Sequence, residues 1–80
     1  RVLERWPLDV RVLRRELAAR DIGVLEIKKR GVDIDPAVLR PKLQLRGEHS
    51  AVLILTRAAG EKVALLAERA DEPPRATISG

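Results

Sequence analysis

Residues 26–35 read EIKKRGVDID, three cations in succession, a glycine, and two aspartates one residue apart. Lys28, Lys29 and Arg30 have the chemistry to neutralise phosphates, and Asp33 and Asp35 have the chemistry to hold a hard cation. The second possibility lacks material. Magnesium and calcium sites draw on several oxygen ligands, and no third carboxylate stands at a ligand-like spacing. Asp35 instead precedes Pro36, the arrangement of a helix N-cap followed by proline at the first helical position, so its oxygen is expected to cap a helix. No metal site is expected.

Acid–base and nucleophilic chemistry fare no better. His49 is the one histidine, set between Glu48 and Ser50 in an expected loop; with no cysteine anywhere, a catalytic role for it would need partners from outside this segment. Glu26, Glu61 and Glu68 are not paired by any spacing that would build a buried site, and read as solvated positions. The five glycines, at 23, 31, 47, 60 and 80, are scattered and form neither GxGxxG nor a phosphate-cradling loop. The reading therefore assigns no catalytic and no cofactor-binding residue to the chain.

The basic residues are the stronger lead. Lys28, Lys29 and Arg30 close the second predicted strand, while Arg40, Lys42 and Arg46 lie in and after the second predicted helix. If that helix folds back beside the strand, the six share one positive surface. Strand side chains alternate, so Lys28 and Arg30 would face one way and Lys29 the other. Two readings stand, a phosphate-contacting surface and the ordinary solvated surface of a chain with 35% charged residues. Arg11, Arg14 and Arg15 carry the same pair of readings. Trp6 is the sole aromatic, so stacked bases have no platform, and any RNA binding is expected to follow backbone and shape.

The elements that must position these residues follow from pattern. RVLERW reads as a strand halted by Pro7. Val10, Leu13 and Leu17 recur at helical spacing after Asp9, an N-cap, with Leu8 and Leu13 at the positions of a hydrophobic staple. Residues 22–30 alternate, with Leu25 and Ile27 on one face, and Gly31 ends that strand. Asp35 starts a second helix, with Ile34 and Leu39 at staple spacing; Pro41 inside it predicts a short or kinked element. SAVLILTR, apolar on both faces, reads as an interior strand covered on two sides, and KVALLAER after Gly60 as its antiparallel neighbour. The expected fold is α+β, a small mixed sheet of four strands with two helices in the order β-α-β-α-β-β, the helices packed largely on one face. Residues 1–70 are expected to form one domain and 71–80, with two adjacent prolines, a flexible tail or linker.

Eighty residues with 45% hydrophobic content make a thin core. No apolar run approaches the roughly 20 residues of a membrane helix, so no membrane partner is expected. The net charge of +4 is compatible with an anionic partner without requiring one. Opening on a strand and without methionine, the chain is expected to be a piece of something longer.

The stretches VLEIKKRGVDIDPAVLRPKL and AVLILTRAAGEKVALLAER resemble the THUMP-like domain at the carboxyl end of class I S-adenosylmethionine-dependent methyltransferases, chiefly those of actinobacteria. The resemblance spans Val2 to Arg69, and its most specific part is EIKKRGVDIDP, with LTR and LLAER in support. It implies a noncatalytic carboxyl-terminal accessory domain in the cytoplasm, with S-adenosylmethionine held by an upstream methyltransferase domain and structured RNA as a partner by analogy with THUMP domains proper. The alternative is a structural or interaction domain that packs on the catalytic domain or mediates dimerisation. Asp21, where the family commonly has glycine, and Pro41 depart from the pattern. The oligomeric state is left open.

Overall fold

The structure is a computed structural model and describes residues 2–68; the expected tail at 71–80 lies outside the described residues. Six elements follow in order: β1 (Val2–Pro7), α1 (Val10–Ala19), β2 (Ile22–Lys29), α2 (Pro36–Leu43), β3 (His49–Ala58) and β4 (Glu61–Ala67). The strands form one mixed sheet in the spatial order β1-β4-β3-β2. β2 runs parallel to β3, and β4 lies antiparallel to both β3 and β1. The fold is α+β, with the expected order of elements.

Local chemistry explains each boundary. Asp9 Oδ1 accepts from the backbone N–H groups of Arg11 at 2.8 Å and Val12 at 3.4 Å, capping α1. The helix ends where Asp21 enters the left-handed region at φ 57°, a conformation that aspartate tolerates better than most residues. Asp35 Oδ1 accepts from Ala37 N–H at 2.9 Å and Pro36 opens α2. Pro41 removes an interior backbone donor, and α2 stops two residues later with Gln44 left-handed at φ 51°. The β3–β4 hairpin turns on Ala59 and Gly60, with φ of 53° and 81°, and Ala58 pairs directly with Glu61. Two positive φ values in a two-residue loop are the primed geometry that matches strand twist; Ala59 adopts it at a cost that glycine would not incur.

Burial follows the periods read from the sequence. Leu13, Leu17, Leu39 and Leu43 pack from the two helices onto Leu25, Ala51, Leu53, Leu55, Ala64, Leu66 and Trp6, which share one face of the sheet. Leu13, Leu53 and Leu55 are fully inaccessible, each side chain contributing about 1.5–3 kcal/mol of burial. The staple pairs Leu8 with Leu13 and Ile34 with Leu39 line a single cleft between the amino ends of the helices. Val52, Val63 and Ala67 alternate with this set, occupy the opposite face, and are also buried.

His49 does not lie in a loop but begins β3, where its N–H donates to Asp21 O at 2.9 Å. At this end of the sheet Gly23 and Gly47 cross so closely that a Cβ on either would run into the backbone of the other segment. The crossing sets the position of Arg46, the residue before Gly47.

Candidate nucleic-acid interface

The six cations singled out from the sequence are distributed by two elements running in opposite directions. β2 ascends to Lys28 and Lys29, and Arg30 follows it, its N–H donating to Leu55 O at 2.8 Å. The chain then turns, and α2 descends beside β2, so Arg46 arrives near the start of the strand. Seven steps of strand separate Ile22 from Lys29, about 23 Å at about 3.3 Å per residue. Lys28, Lys29 and Arg30 therefore stand at one end of the molecule and Arg46 at the other.

Arg40 and Lys42 are two apart on α2, and residues at that spacing leave a helix on different sides. Arg40 faces β2, where its Nη1 donates to Leu25 O at 2.7 Å. This bond ties α2 to the edge strand and occupies the guanidinium structurally. The Lys42 carbonyl oxygen accepts from Arg14 Nε at 3.2 Å and Nη2 at 2.8 Å. An arginine donating to a carbonyl in the last turn of a helix satisfies a group that the helix itself leaves unpaired.

Within the first cluster, Lys28 leaves the helix-free face beside Ile54 and lies 3.9 Å from Glu26 Oε2. Lys29 pairs in register with Leu55 and leaves the opposite face. Alternation splits the run as expected. Arg57, which pairs in register with Lys62, donates from Nε to Gly31 O at 3.3 Å and adds charge to this end of the sheet.

A second basic group forms between the helices. Arg14, Gln44 and Arg46 rim a cleft of about 300 Å³ whose floor is Leu17, Ala18, Ile22, Leu43 and Leu45. Lys42 borders this group from the neighbouring cleft between the helix amino ends, which it lines together with Asp33 and Asp35, and Arg11 precedes Arg14 by one turn of α1. The side chains of Arg11, Lys42 and Arg46 have no ion pair or hydrogen bond among the described residues. No carboxylate lines this cleft. The charge spacing on α1 was visible in the sequence, but its meeting with Lys42 and Arg46 required the relative placing of two helices.

The remaining charges on α1 serve another purpose. Arg20 Nη1 lies 2.7 Å from Glu16 Oε1, its Nη2 3.5 Å from Glu4 Oε2, and its guanidinium 5.1 Å from the centroid of Trp6. The hydrogen bond from Arg20 holds the Glu16 carboxyl below its ordinary range, with the charges of Arg20 and Arg15 acting in the same direction. This network fastens the end of α1 to β1. Among the described residues no group of three or more His, Cys, Asp or Glu is placed to hold a metal ion.

A profile of the THUMP domain-like family matches residues 1–69. The chain belongs to the THUMP domain-like family. Two uncharacterized S-adenosylmethionine-dependent methyltransferases from two strains of Mycobacterium tuberculosis are each 48% identical to this THUMP-like chain over 56 residues, which is 70% of it. The chain spans 16% of the length of those curated relatives. The crystal structure of a protein assigned as a methyltransferase from Porphyromonas gingivalis W83 is similar with a TM-score of 0.66 and 25% identity, over 88% of this chain and 17% of that one. The expected resemblance thus holds at the level of family, relatives and fold. Among the described residues no helix is long and apolar enough to cross a membrane.

Proposed function

We propose that residues 1–70 form a noncatalytic accessory domain of an S-adenosylmethionine-dependent methyltransferase and dock its RNA substrate through a basic surface. The observation that carries this reading is the 48% identity to two such methyltransferases in which the matched region is only 16% of the protein. A segment that small leaves the methyl-transfer site to the rest of the polypeptide. The unpaired cations supply the means of docking, because phosphate contacts position a nucleic acid without reading its bases. A cytoplasmic setting is part of the same proposal.

The residues present do not fit S-adenosylmethionine. Gly23 and Gly47 are used in a backbone crossing and Gly31 and Gly60 in turns, so among the described residues no glycine-rich strand-to-helix loop is available to approach a cofactor. No chemical step is assigned to this chain. Its part is to bind and orient.

The test is RNA binding and methyl transfer by the natural full-length protein, with and without residues 1–70. Docking predicts that removal weakens RNA binding at low salt and raises KM for the RNA while leaving the affinity for the methyl donor unchanged. Equal, weak RNA binding by both forms contradicts it.

One observation favours a second reading, that of a structural domain packed against the catalytic domain or a second copy. β3 and β4 carry apolar residues on the side of the sheet that neither helix covers, where Ile54 and Leu65 are partly exposed in register with each other. A covered second face is what a buried sheet requires. If the domain unfolds at much lower denaturant alone than in the full-length protein, that reading gains; equal stability and a monomeric state remove it.

A further inference from the structure

We infer that the RNA-docking surface is the groove between α1 and α2, centred on Arg11, Arg14, Lys42 and Arg46, and not the Lys28–Arg30 end of the sheet. This inference rests on the docking role proposed above and assigns it a place. Three observations carry it. Arg14 is held by two hydrogen bonds to Lys42 O, so its guanidinium is fixed at the rim of the groove before any ligand arrives. Lys42 and Arg46 line adjoining clefts, and their charged groups have no ion pair or hydrogen bond among the described residues. The groove then continues into an apolar cleft of about 300 Å³ with no carboxylate in its lining.

The Lys28–Arg30 end lacks these properties. Lys28 and Lys29 leave opposite faces of the sheet, and Lys28 faces Glu26 at 3.9 Å. Arg40 is bonded to a backbone carbonyl as Arg14 is, but to Leu25 O, on the β2 side of α2 and away from the groove. At this end of the sheet Lys28 shares one face with Arg30 and Lys29 shares the other with Arg57 and Lys62, so the charge is divided between two faces, whereas Arg14 and Arg46 rim a single cleft. Acidic groups lie on the amino side of the groove, where Asp33 and Asp35 rim the cleft that Lys42 also lines. The anionic strand should therefore pass from Arg11 along the groove toward the carboxyl ends of the helices, on the side away from Asp33 and Asp35. The cleft, with an apolar floor, a guanidinium at its rim and the Gln44 amide beside it, suits one unstacked base, since arginine planes and apolar side chains receive splayed-out bases in single-stranded RNA.

The experiment uses the natural full-length protein and a fluorescently labelled polyuridine RNA, with anisotropy measured across a salt series. Two matched double variants are compared, Lys42→Gln with Arg46→Gln and Lys28→Gln with Lys29→Gln. Each neutralises two cations. The groove pair is expected to lose about tenfold in affinity at low salt and to lower the magnitude of the log K against log salt slope by about 1.4, since each lost single-strand phosphate contact removes about 0.7. The strand pair should stay within about twofold of the wild type with an unchanged slope. Arg11→Gln, which breaks no hydrogen bond among the described residues, repeats the groove test on α1 should the double variant unfold. A strand pair that loses more than the groove pair, or equal losses in both, overturns the assignment while leaving the docking role in place. Wild-type protein that binds no better than protein lacking residues 1–70 overturns both. Tighter binding of a labelled acidic polypeptide than of the RNA, weakened in the groove pair alone, also overturns it and marks the groove as a protein-binding surface.

Discussion

Lys28 and Lys29 are neighbours in the chain whose side chains part to opposite faces of β2, whereas Arg14 and Lys42 lie 28 residues apart and meet. The difference comes from the period of each element. A strand disperses a run of charge by alternation, and two adjacent helices can gather charges that the sequence shows as isolated. Apparent clustering in sequence is therefore a poor guide to a surface when the cluster falls on a strand. Arg40 adds a second lesson: a cation at a plausible place in the pattern is spent on a backbone carbonyl of the adjacent strand.

The largest test of this contrast removes the support of the helix groove. Leu43, 1% exposed, fixes the end of α2 beneath Lys42, and Leu43→Ala should cost about 2–5 kcal/mol through lost burial and a residual cavity. Urea unfolding of the full-length protein should show a lower midpoint for this domain. Gly23→Ala should follow with more than about 2 kcal/mol, because the new Cβ meets Gly47 backbone that cannot rotate away. Its effect on RNA binding should fall on the groove, through displaced Arg46, and spare the Lys28 end.

Smaller changes sharpen the contrast without disrupting packing. Asp35→Ala removes the cap of α2 and should cost about 1 kcal/mol in thermal or urea unfolding. Ala59→Gly relieves a left-handed residue in a hairpin remote from the groove and should raise stability by about 0.5–1 kcal/mol with RNA affinity unchanged. The pH dependence is the mildest effect. Glu16 is lowered in the folded state by Arg20, so its stabilisation is present above the ordinary glutamate range and is lost as pH falls through the folded value. Glu16→Gln should accordingly flatten the stability profile on the acid side of that range, as read by unfolding midpoints.

The elements were legible because their signals are local. Asp9 and Asp35 cap the helices that were expected from them, Leu13 and Leu17 define a buried stripe, and the alternation of Leu25 with its neighbours sets the face of β2. The strand order was not legible. α1 carries the chain from one edge of the sheet to the other edge, and nothing in its thirteen-residue surroundings encodes which strands it spans. That missing order hid the meeting of Arg14 with Lys42. The hairpin was anticipated from Gly60, but the left-handed Ala59 beside it carries no signal, since alanine at positive φ is held there by the pairing of Ala58 with Glu61.

The central claim is that anion contacts gather between the helices, and lysine footprinting of the natural full-length protein tests it most directly. The lysines of this domain lie on both sides of the comparison, with Lys42 beside the groove and Lys28, Lys29 and Lys62 on the strands. Amine-selective acetylation with and without polyuridine RNA, read by mass spectrometry, should show Lys42 protected and the strand lysines modified at their free rates. Protection of Lys28 and Lys29 with Lys42 still reactive would contradict the account.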